Sequence, residues 1–98
     1  LENPNNVQWN AKVGNMTGNA GKNSIVWHAA ELGTVGVWTD GTDNWVAISG
    51  GFDKNWTMLG TGDFNGNGKD EILFLYNGSL YTTDIDRNFV SSTRRPDR

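Results

Sequence analysis

Short apolar runs alternate along most of the chain with clusters of Gly, Asn, Asp and Thr. That spacing belongs to a meandering antiparallel sheet, whose strands show alternate side chains to opposite faces and whose turns need residues tolerant of positive φ. Ser24–Ala29 (SIVWHA) is expected as a strand, with a turn over 31–34 and a partner strand over 35–39 (VGVWT). The cluster 40–44 (DGTDN) then turns the chain into a strand over 45–49 (WVAIS), which 50–53 (GGFD) ends. A further strand covers 56–59 (WTML), and a Gly/Asn-rich loop covers 62–69. Glu71–Tyr76 (EILFLY) is the most apolar strand of all. Asn77-Gly78 is a hairpin signal, because a type I′ turn needs φ > 0 at both central residues. It leads into 79–84 (SLYTTD), and Phe89 and Val90 begin a last strand. The end of the chain, 92–98, has no apolar periodicity and is expected to fray.

The pattern echoes itself. Trp9 and Trp56 are 47 residues apart, as are Trp27 and Phe74. GNMTGNAGKNSIVW (14–27) lies over GDFNGNGKDEILF (62–74) once one residue near Ala20 counts as inserted. Each copy opens on a Trp-led segment, continues through a loop of polar and small residues, and ends in an apolar strand and a hairpin. A period of this length fits a propeller blade of roughly 40–50 residues. The expected fold is therefore all-β, with antiparallel four-stranded β-propeller blades, about two in this chain. The first spans 9–55 and the second 56–91, between a lead-in over 1–8 and a basic tail over 92–98. Propellers close with about 4–8 blades, so the two are expected to be part of a larger ring or to be completed by self-association.

Composition agrees. Thirteen Gly, thirteen Asn and five Trp with only two Pro describe many short strands and tight turns. The net charge of −3 is uneven: residues 1–86 carry −6, and residues 87–98, with all four arginines, carry +3. An acidic body argues against general nucleic-acid binding. No run of about 18 apolar residues predicts a membrane helix, and no basic-then-apolar leader opens the sequence, so a signal peptide would lie outside it. Without cysteine, disulfides and thiolate zinc sites are excluded.

The loop Asp63-Phe64-Asn65-Gly66-Asn67-Gly68-Lys69-Asp70-Glu71 carries the candidate chemistry. Oxygen-bearing side chains recur at positions 1, 3 and 5, Gly follows at position 6, and a carboxylate stands at position 9. Calcium wants six to eight hard oxygen ligands, and such a loop turns alternate side chains and the carbonyl of Lys69 inward. An EF-hand needs Glu at position 12 and flanking helices. Here position 12 is Phe74 and a strand follows, so that reading fails.

GDFNGNGKDEILF resembles the signature of FG-GAP/VCBS repeats, the integrin-type propeller blades, whose cation loop reads D-x-D-x-D-G-x-x-D ahead of an apolar strand. The resemblance implies that Asp63, Asn65 and Asn67 are side-chain calcium ligands, that Lys69 gives its carbonyl, and that Glu71 closes the site. Asn in place of Asp at positions 3 and 5 removes charge, and Glu replaces Asp at position 9. Affinity is accordingly expected near the ~10⁻⁴–10⁻³ M of extracellular modules. In the first copy Asn15, Thr17 and Asn19 hold the ligand positions and no carboxylate closes the loop, so it is expected to survive as a turn without metal.

Other features are weaker. His28, the only histidine, has no partner motif and is expected to be a satisfied strand residue. Asp40, Asp43, Asp84 and Asp86 are turn formers, and an enzyme is not expected. Trp9, Trp27 and Trp56 follow the repeat period and are expected in the core between blades, whereas Trp38 and Trp45 flank the DGTD turn and are the better ligand-binding candidates. Sequons stand at Asn15, Asn55 and Asn77. The function expected is that of an extracellular or cell-surface, calcium-stabilised repeat module for adhesion or ligand binding. Its partners are other blades or copies of itself, and a glycan or protein ligand. The alternatives are a carbohydrate-binding or scaffolding appendage of a secreted polysaccharide-degrading enzyme, and a structural spacer.

Overall fold

The computed structural model describes residues 8–92. The lead-in before Gln8 and the basic tail beyond Ser92 lie outside the described residues. Eight strands follow in order: β1 (Asn10–Gly14), β2 (Ser24–Ala29), β3 (Thr34–Trp38), β4 (Trp45–Gly50), β5 (Trp56–Gly62), β6 (Glu71–Tyr76), β7 (Ser79–Thr83) and β8 (Val90–Ser92). They form two four-stranded antiparallel sheets, β1-β2-β3-β4 and β5-β6-β7-β8, each a simple meander. No helix occurs among the described residues, so none is long and apolar enough to cross a membrane. The two sheets are open and do not close on one another.

Trp27 and Phe74, 47 residues apart, are each the fourth residue of the second strand of their sheet. Asn77 (φ 51°) and Gly78 (φ 78°) form the expected hairpin turn between β6 and β7. Two elements depart from the sequence pattern. Asn10–Gly14, with only Val13 as a β-branched residue, becomes a strand through pairing with β2, from Asn10 opposite His28 to Gly14 opposite Ser24. β5 runs three residues past Leu59, because a register shift between Met58 and Gly60 lets the chain bulge and pair onward to Gly62 opposite Glu71.

The core lies between the sheets. Val26, Val35, Val37 and Ile48 from the first sheet meet Met58, Ile72 and Phe74 from the second, with Met16 and Phe52 closing the edges. Burying a side chain such as Phe74 or Ile72 contributes about 1.5–3 kcal/mol. Phe52, on the linker between the sheets, stacks on Phe74 with ring centroids 4.7 Å apart. Trp56 meets Phe74 edge-on at 5.8 Å. His28 is buried, its Nε2 lies 2.7 Å from the carbonyl of Phe52, and its ring meets Phe74 at 5.9 Å. That is the satisfied strand histidine the sequence led one to expect. The edge strands β1 and β5 are tied as well, since the Thr61 hydroxyl donates to the Val13 carbonyl at 2.6 Å.

Candidate functional site

The loop between β5 and β6 is wound around its own oxygens. Asp63 accepts from the Asn67 amide through Oδ1 at 3.1 Å and from the Gly68 amide through Oδ2 at 2.9 Å. Asn65 Oδ1 also accepts from the Asn67 amide, at 3.1 Å, and Asn67 Oδ1 accepts from the Lys69 amide at 3.0 Å. The three side chains therefore turn inward, and Gly66 (φ 75°) and Gly68 (φ 89°) supply the left-handed backbone that this winding requires.

Glu71 stands at the base of the loop as the first residue of β6 and is only 3% exposed. Its Oε1 accepts from the amides of Phe64 at 2.8 Å and Asn65 at 3.3 Å. Its Oε2 is buried and has no hydrogen-bond partner. A buried carboxylate oxygen left unpaired is costly, and such groups are normally satisfied by a donor, water or a cation. The Lys69 ammonium is engaged elsewhere, 2.8 Å from Asp86 Oδ2, and that bond together with the charge of Asp86 raises its pKa.

The loop thus brings together Asp63, Asn65, Asn67 and Glu71, with the Lys69 backbone in the same winding. Among the described residues no group of three or more His, Cys, Asp or Glu gathers, and here only Asp63 and Glu71 carry charge. The remaining donors are neutral oxygens. An all-oxygen set of this kind suits a hard cation such as calcium rather than zinc or copper.

The corresponding loop of the first sheet is built differently. Asn15 Oδ1 accepts from the Gly18 amide at 2.9 Å. The Thr17 hydroxyl donates to Asp40 Oδ1 at 2.7 Å, and the Asn19 side-chain nitrogen donates to Asp40 Oδ2 at 2.7 Å. Asp40, in the turn between β3 and β4 with φ 50°, is the carboxylate that the loop itself lacks. Bonds from Thr17 and then Asn19 hold its pKa below the usual carboxylate range. Asn19 turns its side-chain nitrogen to Asp40, so the loop is tied to the β3–β4 turn. The sequence signal was the acidic turn itself, but Asp40 lies 21 and 23 residues from its donors and reads locally as a turn former.

Trp38 and Trp45 face each other across the β3–β4 hairpin. The Trp38 ring meets Trp27 edge-on at 5.1 Å, and Trp9 meets Trp27 at 6.2 Å and Trp45 at 6.4 Å. These four indoles share the face of the first sheet that points away from the second. Alternation puts Val26 and His28 in the core between these two sheets and Trp27 on the outer face, with Trp9 against it. Only Trp56, of the repeat-spaced tryptophans, packs against the core between the sheets. Comparisons with family models, with curated proteins and with solved structures found no match to this chain.

Proposed function

We propose that this chain is a non-enzymatic, calcium-stabilised β-propeller module that works outside the cell in adhesion or ligand binding. The observation that carries the reading is Glu71: a buried carboxylate with an unpartnered oxygen, at the base of a loop whose other side-chain oxygens turn inward. A bound calcium ion would satisfy that oxygen, with Asp63, Asn65, Asn67 and the Lys69 carbonyl completing the set. Part of the binding energy then becomes folding energy.

The outward faces support the propeller part of the reading. Leu75 and Leu80 are paired on the outer face of the second sheet and are 37% and 38% exposed, and Leu59 in the β5 bulge is 44% exposed. The outer face of the first sheet carries the four indoles. Two apolar faces suit a sheet that is flanked on both sides by further blades, whether of a longer chain or of other copies.

The test is thermal unfolding in ~5 mM calcium against excess EDTA. With Kd ~10⁻⁴ M, calcium adds roughly 2.3 kcal/mol, which for a domain of this size raises Tm by roughly 9–18 °C. Asp63→Ala removes the shift. A wild-type Tm indifferent to calcium overturns the reading.

A second reading, glycan binding by an appendage of a secreted polysaccharide-degrading enzyme, is favoured by the indole face, where Trp45 is 39% exposed. It predicts glycan affinity that Trp45→Ala abolishes and that calcium does not control.

A further inference from the structure

A second feature lies at the edge of the core, away from the indole face. Where the linker leaves β4 and the turn between β7 and β8 comes over, the sheets part to leave a cleft of about 460 Å³. That volume falls in the range of small-molecule sites, roughly 300–1,000 Å³. Phe52, Trp56, Tyr81 and Phe89 line it, with Thr83 and Arg87. The rings are ordered against one another: Tyr81 and Phe89 stack at 5.6 Å, Phe52 meets Trp56 at 5.1 Å, and Trp56 stacks on Tyr76 at 4.4 Å. Phe89 remains 47% exposed, so an aromatic surface stays open to an incoming ligand.

Polar groups in the cleft are few. Thr83 is buried and its hydroxyl is spent on the Asp84 carbonyl at 3.2 Å. Arg87 is the one charged residue in the lining. Among the described residues the ion pair formed is that of Lys69 with Asp86, and Arg87 has no carboxylate partner.

Arg87 also sits at φ 66°, in the left-handed region that residues other than Gly, Asn and Asp seldom adopt. It is held there by its neighbours. The Asp84 carboxylate accepts from the amides of Asp86 and Asn88, each at 2.9 Å, and from the Asn88 side chain at 2.9 Å. The Arg87 amide itself donates to the Asp84 carbonyl at 3.1 Å. Gly or Asn would fit this position with less strain. A strained residue kept in place by its surroundings is a mark of functional sites.

From the aromatic lining, the single cation and its enforced backbone, we infer that this cleft binds a flat, apolar monoanion: an aryl or arylalkyl carboxylate. The rings take the aromatic body, and the Arg87 guanidinium takes the carboxylate, with which its planar fork pairs well. The scarcity of hydrogen-bonding groups disfavours a polyhydroxylated ligand. None of the proposed calcium ligands lines the cleft, so its test is separate from that of the proposed function.

The experiment uses 2-naphthoate as probe and its neutral analogue 2-naphthylmethanol as control. Calorimetry gives the affinity, and amide and indole chemical shifts give the location. Naphthoate is expected to bind at roughly 10⁻⁴ M, as befits a ligand of this size, and to shift the signals of Trp56 and Arg87. Arg87→Gln weakens naphthoate about tenfold, the loss of one charged hydrogen-bonded contact, and leaves the alcohol unchanged. Arg87→Gly relieves the strained backbone, so it retains or raises Tm while losing the same affinity. The inference is overturned if the two probes bind equally, if Arg87→Gly retains full affinity, or if the shifts fall at Trp27, Trp38 and Trp45 instead.

Discussion

Asn15 and Asp70, 55 residues apart, exchange two hydrogen bonds: the Asn15 amide donates to Asp70 Oδ2 at 2.8 Å, and the Asp70 amide donates to the Asn15 carbonyl at 2.9 Å. This reciprocal pair joins the loop of the first sheet to the candidate cation loop of the second. Asp70→Ala leaves the part-buried Asn15 amide unpaired and is expected to destabilise the fold by about 1–3 kcal/mol in urea denaturation. Asp70→Asn retains an acceptor oxygen and should cost less. Because Asp70 adjoins Glu71, Asp70→Ala should also weaken the stabilisation by calcium.

Glu71 offers a sharper test of the cation site. Without calcium its buried Oε2 has no partner, so replacing the carboxylate by a neutral amide removes an uncompensated charge. Glu71→Gln is expected to match or exceed wild-type Tm in EDTA and to gain nothing from calcium. Glu71→Ala instead strips the Phe64 and Asn65 amides of their acceptor and should cost about 1–3 kcal/mol with or without the ion. If Glu71→Gln were destabilised in EDTA and still responded to calcium, the carboxylate would be a turn cap only.

Asp84 gives the fold a pH dependence. Burial pushes its pKa up, but hydrogen bonds from the side chain and amide of Asn88 and from the Asp86 amide outweigh it and leave the pKa below the ordinary 3.8. Asp40 is lowered likewise by Thr17 and Asn19. A folded pKa depressed below the unfolded one means that the carboxylate stabilises the fold above pH 3.8. That contribution is lost as the pH falls below it. Thermal melts of wild type and Asp84→Asn should differ most at about pH 5 and converge towards pH 2.5.

Gly36 is fixed by its neighbour on the indole face. A Cβ there would overlap the six-membered ring of Trp45. Gly36→Ala must displace that indole, at an expected cost of about 1–3 kcal/mol, as overpacking does elsewhere. Tryptophan emission should shift to the red as Trp45 moves into water. An unchanged spectrum and Tm would mean that Trp45 is not seated over Gly36.

Much of this architecture was legible in the alternation of apolar and polar residues. Ser24–Ala29 and Glu71–Tyr76 form the strands that the pattern predicts, and Asn77-Gly78 turns as its chemistry requires. The local winding of the candidate cation loop could be read too, since the side chains of Asp63, Asn65 and Asn67 bond to amides two to five residues on. Period-2 alternation cannot say which face is the core when both faces are apolar. In EILFLY, Ile72 and Phe74 enter the core while Leu75 faces outward.

Whatever depends on neighbours along the chain was therefore readable from the residues alone: strand periodicity, turn chemistry and the oxygen-rich loop. Contacts between distant segments came only with the folded arrangement. It made Asn10–Gly14 a strand, grouped four tryptophans on one outer face and brought Asp40 to Thr17 and Asn19. It also buried Glu71 with one oxygen unpaired and set Arg87 beside four aromatic rings. The physical reason is that hydrogen bonding within a turn is fixed by covalent proximity, whereas burial and pairing across the fold depend on how the two sheets dock.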